Sequence, residues 1–244
     1  MTISKDVTLG EIVSNDFKAA AVFSRYNLDF CCNGKMKITE ACSRKGLNFE
    51  TVIDEISKAS IEERNILHFN YWDASFLSEY IVANHHSYVR DMMPIILKHA
   101  EKAARVHCMN HPELKEIYSI FCEVSEEMSA HMDKEEKIIF PYIKKLASKE
   151  NEYFVPPFGS INNPISVMEH EHKNAADAMS KIKELSSNYT AYSDMCETCR
   201  VLYKELKDFE EDLHVHVHLE NNILFPMAVK LEEHKIPVTV SCSL

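Results

Sequence analysis

Glycine is scarce in this chain: four residues in 244, beside eight prolines and a single tryptophan. So few turn-formers, and so few alternating Val/Thr segments, leave little material for hairpins and exclude a β-rich design. No apolar run approaches the ~20 residues that a bilayer-spanning helix needs. The N-terminus, MTISKDVTLGE, also lacks the apolar stretch of a secretory signal. A basic tract is missing too. The net charge is -11, with acidic residues spread along the chain, which argues against a nucleic-acid surface and against an anionic membrane as partner. Eight cysteines at irregular positions do not make the framework of a small secreted domain. Together these absences point to a cytoplasmic protein whose partners are small molecules, ions or other proteins.

What is present is helical periodicity. Apolar residues recur at three- and four-residue spacing through most of the chain, so the predicted class is all-α. Residues 1–60 carry short helical patterns (TLGEIVSNDFKAAAVFSRYNL, KITEACSRKG, NFETVIDEISKAS) separated by the turn-like DFCCNG and KGLN, and read as a small helical N-terminal domain. Four long helices are predicted at 74–106, 112–148, 164–187 and 193–232. The Pro/Asn/Gly-containing stretch KENEYFVPPFGSINNP divides them two and two, so residues 74–232 are expected to form an up-down four-helix bundle. Residues 233–244 leave the pattern and read as a short tail.

Inside the bundle a motif occurs twice: HMDKEEKIIFP at 131–141 and HVHLENNILFP at 216–226. Helical spacing puts Met128, His131, Glu135 and Ile138 on one face, and likewise Phe209, Leu213, His216, Glu220 and Ile223. Residues four apart lie roughly 6 Å apart along a helix, close enough for both side chains to reach one centre. His172 sits at the middle of the apolar stripe Ile165, Met168, Ala175, Ala176 and Met179, so it is expected inside and His170 outside. His214 shares a face with Glu210, Glu211 and His218, which reads as solvated. In the first helix both His85 and His86 have apolar neighbours, and periodicity does not choose between them. Internal symmetry does: 85 residues separate His131 from His216, against 86 from His86 to His172 and 87 from His85. Each half then reads His, followed some 45 residues later by His-x-x-x-Glu.

A single His-x-x-x-Glu is better explained by a helical ion pair or by an ordinary core histidine satisfied by its neighbours. Two in register, each with an inward histidine on the preceding helix, would bury six polar groups, at several kcal/mol for each charge left unpaired. Four imidazoles and two carboxylates from four helices form the donor inventory of a dinuclear site, suited to iron though not excluding manganese. The predicted ligands are His86, His131, Glu135, His172, His216 and Glu220. Glu127 and Glu171, beside the ligands, are expected to orient them or to line an access route.

With DFCCNGK, HHSYVRDMMP, HMDKEEKIIFP, ISVMEHEHKNAA and HLENNILFP in that order, the chain resembles the Repair of Iron Centres family, iron-sulfur cluster repair di-iron proteins with a hemerythrin-like bundle. Oxygen-carrying hemerythrins have a further histidine where this chain has Ala176. The resemblance implies two non-haem irons in an oxo- and carboxylate-bridged centre, with Glu135 and Glu220 bridging. It also implies a homodimer that restores iron-sulfur proteins damaged by nitric oxide or oxidation, with those damaged or apo proteins as partners. Two other functions fit the same ligand set: reduction of nitric oxide to nitrous oxide, and iron or redox sensing through a partner protein. Adjacent cysteines bond to each other only with strain, so Cys31 and Cys32 are expected to act as a nucleophile, an NO or persulfide acceptor or a transient metal ligand. The CxxC of Cys196 and Cys199 lies in a predicted helix with no partner pair, and is read as local structure.

Overall fold

The computed structural model describes residues 4–61, 68–148 and 156–235; most of the predicted tail, with Cys242, lies outside them. The fold is all-α, an up-down four-helix bundle preceded by small helices, and the described residues contain no strand. The elements are α1 (Leu9–Asn15), α2 (Ala19–Arg25), α3 (Ile38–Lys45), α4 (Phe49–Ile61), α5 (Ala74–Ile81), α6 (Ser87–His107), α7 (Glu113–Lys134), α8 (Phe140–Ala147), α9 (Asn162–Leu185), α10 (Glu197–Leu219) and α11 (Phe225–Lys235). Five-residue π-helical turns join α5 to α6 (Val82–His86), α7 to α8 (Glu135–Ile139) and α10 to α11 (Glu220–Leu224). The four predicted long helices therefore exist, with ends within a few residues of those expected.

Packing divides the chain into two compact units. One comprises Glu79–Glu136 and Met168–Val217. Its four helical stretches bury their apolar stripes against one another, with Phe121 and Phe209 meeting edge to face at 5.3 Å, both fully buried. Each such side chain contributes about 1.5–3 kcal/mol by leaving water. Short connections, such as the turn between His107 and Glu113, force neighbouring helices antiparallel.

The other unit takes in the described residues of 1–78, 137–167 and 218–244. Here α1 opens with a capping box: the Thr8 hydroxyl accepts from the Glu11 N–H at 3.2 Å, and the Glu11 carboxylate accepts from the Thr8 N–H at 2.9 Å. The α1 backbone is tied to the loop before α3, Leu9 N–H donating to Met36 O at 2.9 Å and Gly10 N–H to Gly34 O at 2.8 Å. Buried Glu232 on α11 accepts from the Tyr142 hydroxyl at 2.8 Å, the Ser160 hydroxyl at 2.7 Å and the Ile161 N–H at 3.0 Å, which anchors the start of α9.

The π turn after α7 alters one predicted stripe, whereas Ile223 in the second repeat is buried as expected. Ile138, expected inside, is 50% exposed, and Ile139 is buried in its place. A π turn holds one more residue than an α turn, so the face that carries Glu135 inward hands on to Ile139 rather than Ile138.

Candidate metal centre

Five predicted ligands fall in the first unit, and the structure brings them together. His86, His131, Glu135, His172 and His216 are all 1% exposed or less. The imidazoles face each other in two pairs through their inner nitrogens: His86 Nε2 to His216 Nε2 at 3.1 Å, and His131 Nε2 to His172 Nε2 at 3.0 Å. One oxygen of Glu135 stands between the pairs, 3.3 Å from His86 Nε2 and 3.4 Å from His131 Nε2. Two imidazole nitrogens bound at right angles to one first-row ion, each about 2.1 Å from it, lie about 3.0 Å apart. The paired nitrogens have that separation, and the carboxylate is placed to serve both pairs. This donor set fits a non-haem iron site. Glu220, the sixth predicted ligand, is fully buried in the π turn that follows α10, one turn of chain beyond His216.

The outer nitrogens of two ligands are fixed by carboxylates. His86 Nδ1 lies 2.7 Å from Glu136 Oε1, and that carboxylate also accepts from Arg90 at 2.6 Å. His131 Nδ1 lies 2.9 Å from Glu171 Oε2, and Glu171 in turn pairs with Lys134. Partial burial works against the charge on Glu136 and Glu171. Hydrogen bonds from Arg90 and His86 to the first, and from Lys134 and His131 to the second, overcome it and hold both carboxyls below their ordinary range. A carboxylate on Nδ1 fixes the proton there and turns the Nε2 lone pair inward, the state a metal requires. Replacing Glu136 or Glu171 by Gln is expected to weaken iron binding about 10- to 100-fold while the helical spectrum stays unchanged, measured by chelator competition.

Both histidines left open on the first helix are buried, but in different roles. His86 joins the ligand pairs, whereas His85 Nδ1 contacts Asp212 at 2.9 Å and its ring stacks on His216. His172 is buried and His170 exposed, as their stripe requires. Glu127 is an exposed carboxylate. Glu136, which sequence reasoning passed over, holds His86 as Glu171 holds His131.

The expected solvated face around His214 is largely covered. Glu210 is buried and receives Lys183 at 3.2 Å. His218 is fully buried, with the Phe30 ring edge-on at 5.7 Å and Asn222 Nδ2 at 3.1 Å from its Nδ1, and desolvation pulls its pKa down to about 4. The Phe30 ring, from the loop after α2, covers His218, and the periodicity of one helix does not record it.

The Cys-Cys loop belongs to the same unit as His218. Asp29 Oδ1 accepts the backbone N–H of Cys31 at 3.2 Å and of Cys32 at 2.9 Å, and Cys31 Sγ lies 3.2 Å from the same oxygen. The two sulfurs are 3.9 Å apart. Hydrogen bonding to Cys32, burial and the nearby Asp29 charge raise the Cys31 pKa well above the usual thiol range, so Cys31 rests as a thiol. Asn222, two residues after Glu220, donates to the carbonyls of Phe30 at 3.2 Å and Cys31 at 3.1 Å.

Residues 78–228 match the Hemerythrin HHE cation binding domain, and residues 5–60 match a domain of unknown function, DUF542. The chain is similar to the iron-sulfur cluster repair protein ScdA of Staphylococcus haemolyticus (strain JCSC1435), 31% identical over 223 residues that cover 91% of this chain and 98% of the relative. It is also similar to the iron-sulfur cluster repair protein YtfE of Shigella boydii serotype 4 (strain Sb227), 33% identical over 230 residues covering 92% and 97%, and to that of Escherichia coli O8 (strain IAI1), 32% identical over the same span. No helix among the described residues is long and apolar enough to cross a membrane.

Proposed function

Because this chain belongs to the iron-sulfur cluster repair family, with its hemerythrin HHE cation-binding domain, we propose that it holds two non-haem irons and restores damaged iron-sulfur clusters by giving up iron. The observation that carries this reading is the pair of facing imidazoles on each side of one Glu135 oxygen. In the proposed set, His86 and His216 hold one ion and His131 and His172 the other. Glu135 bridges them, and Glu220, equally buried and at the equivalent position of the second repeat, is the second bridge. When bound, iron supplies redox and Lewis-acid chemistry, with nitric oxide as a ligand; in repair it is also the cargo.

The chain's own residues perform three tasks. Glu136 and Glu171 keep the Nδ1 protons in place, the buried stripes exclude bulk water, and two imidazoles with two shared carboxylates per ion leave open coordination positions on an iron that accepts up to six donors, which favours ligand exchange and release. The acceptors are apo or damaged iron-sulfur proteins in a cytoplasmic setting. The assembly is a homodimer, so multi-angle light scattering of the iron-loaded protein is expected to read twice the 28.2 kDa of one chain.

The test uses protein loaded with ⁵⁷Fe, incubated with an apo-[4Fe–4S] acceptor, sulfide and a thiol reductant. Label appearing in the acceptor's rebuilt cluster, read by Mössbauer spectroscopy after separation, is the expected result. An acceptor that stays free of label while the donor keeps its iron overturns the repair reading. The His131→Ala variant is expected to lose the bridged diferric optical band and to transfer no iron.

A further inference from the structure

Cys196 and Cys199 stand at the start of α10, in the same unit as His107 and remote in sequence from every predicted iron ligand. Cys196 occupies the position before the first helical residue and is exposed; Cys199, one turn on, is fully buried. Their sulfurs are 3.9 Å apart. Cys196 O accepts the N–H of Cys199 at 3.0 Å, which fixes the turn that brings the two side chains to the same side. His107, at the end of α6, offers a ring nitrogen within 4.8 Å of both sulfurs. We propose that this pair is a dithiol centre that exchanges electrons with low-molecular-weight disulfides, Cys196 attacking and Cys199 resolving.

The division of labour follows from placement. A sulfur at the N-terminus of a 23-residue helix meets the first backbone N–H groups and the positive end of the helix dipole, both of which favour a thiolate. Desolvation works against the charge on Cys196. Hydrogen bonds from the Cys199 backbone, His107, the Cys199 thiol and Thr198 outweigh it and bring its pKa down to about 6. Cys199 moves the other way: burial, and then the neighbouring Cys196 charge, push it up to about 11. At neutral pH the exposed sulfur is the nucleophile and the buried one keeps its proton.

The exchange balances without any further reactant. The Cys196 thiolate attacks one sulfur of the disulfide R–S–S–R, a Cys196–S–R bond forms and the first R–S⁻ leaves. Cys199 then yields its proton to that departing thiolate, its sulfur attacks Cys196 Sγ, and the second R–S⁻ leaves and is protonated from solvent. The protein loses two electrons and becomes the Cys196–Cys199 disulfide; the small disulfide gains them and becomes two thiols. Closing the pair takes rotation of side chains already in contact, from 3.9 Å to about 2 Å.

A tryptic peptide running from Glu184 to Arg200 contains both cysteines and no other, so mass spectrometry reads this centre alone. Full-length reduced protein is equilibrated with glutathione buffers of rising oxidised fraction, quenched in acid and labelled with N-ethylmaleimide. The expected result is that the peptide loses both labels together, that Cys199→Ser traps a glutathione adduct on Cys196, and that Cys196→Ser forms none at the buried position. In the wild type, Cys196 labelling by iodoacetamide at limiting reagent is expected to rise to half its maximum at about pH 6, and His107→Gln to shift that midpoint upward. A peptide that stays fully labelled in oxidised glutathione, or a Cys196→Ser variant that forms the adduct as fast as Cys199→Ser, overturns the proposal. So does stoichiometric zinc that shields both thiols until a chelator is added, which would make the cluster a metal site. The wild-type pH profile keeps the test decisive if a variant misfolds.

Discussion

Replacing Glu135 by Ala is expected to empty both halves of the iron centre, whereas His172→Ala empties chiefly one. One oxygen of Glu135 lies 3.3 Å from His86 and 3.4 Å from His131, each of which belongs to a different imidazole pair. In the proposed centre, removing that carboxylate would take a shared anionic donor from both ions, while removing His172 would take one neutral donor from one. Loss of an orienting partner alone weakens metal sites about 10- to 100-fold, so loss of a shared ligand should exceed about 100-fold for each ion. The purified wild type is then expected to carry about two irons per chain on the four-histidine, two-carboxylate donor set, Glu135→Ala a trace, and His172→Ala about one. Metal analysis with thermal melts in excess chelator separates the two causes of loss. A buried carboxylate without its metal is costly, so the metal-free Glu135→Ala protein should melt no lower than metal-free wild type. Equal iron in the two variants would remove the bridging role of Glu135, and a low melting point in chelator would reduce the effect to misfolding. Glu220→Ala serves as the parallel test of the second proposed bridge.

The long helices and most inward faces were readable because both rest on local periodicity, which tertiary packing here reinforces. His131, His172 and His216 lie where their stripes put them. Choosing His86 over His85 needed the internal repeat, since both are buried and only the polar partners of their ring nitrogens differ: Glu135, Glu136 and His216 Nε2 for one, Asp212 for the other. The π turns escaped a reading built on 3.6 residues per turn, and Ile138 was misplaced for that reason. A local signal existed. In both repeats a proline, Pro141 or Pro226, stands six residues after the glutamate, and its missing N–H marks a helix that is not laddered in the ordinary way. Contacts from distant segments left no such trace. His218 looks solvated on its own helix and is buried, with Phe30 packed against its ring; Cys196 and Cys199 look incidental until His107, 89 residues before Cys196, is folded beside them.

The same covering loop explains why Gly34→Ala should be among the most destabilising single-methyl additions in the chain. A Cβ at Gly34 would sit 2.1 Å from Asn222 Oδ1 and 2.7 Å from the Phe30 carbonyl oxygen. The Asn222 side chain is not free to yield, because its amide nitrogen is held by Phe30 O at 3.2 Å, Cys31 O at 3.1 Å and His218 Nδ1 at 3.1 Å. Nor is the glycine, whose carbonyl accepts from Gly10 N–H at 2.8 Å. Overpacking of this kind costs about 1–3 kcal/mol, and each hydrogen bond broken to relieve it about 1 kcal/mol more. The sum, about 2–4 kcal/mol, corresponds to a fall in Tm of roughly 5–15 °C for a chain of this length. Gly46→Ala is the matched control: its φ of 65° is left-handed but nothing lies within 4 Å of the added methyl, so only the backbone cost of about 1–2 kcal/mol applies. Shortening the obstructing side chain distinguishes the mechanisms. Asn222→Ala should be destabilising alone yet partly rescue Gly34→Ala, giving a double variant more stable than the two single effects added together. It should leave Gly46→Ala strictly additive. If Gly34→Ala melts with the wild type, or if Asn222→Ala adds its full cost on top, the close approach of the Cys-Cys loop to Asn222 is not what holds this loop in place.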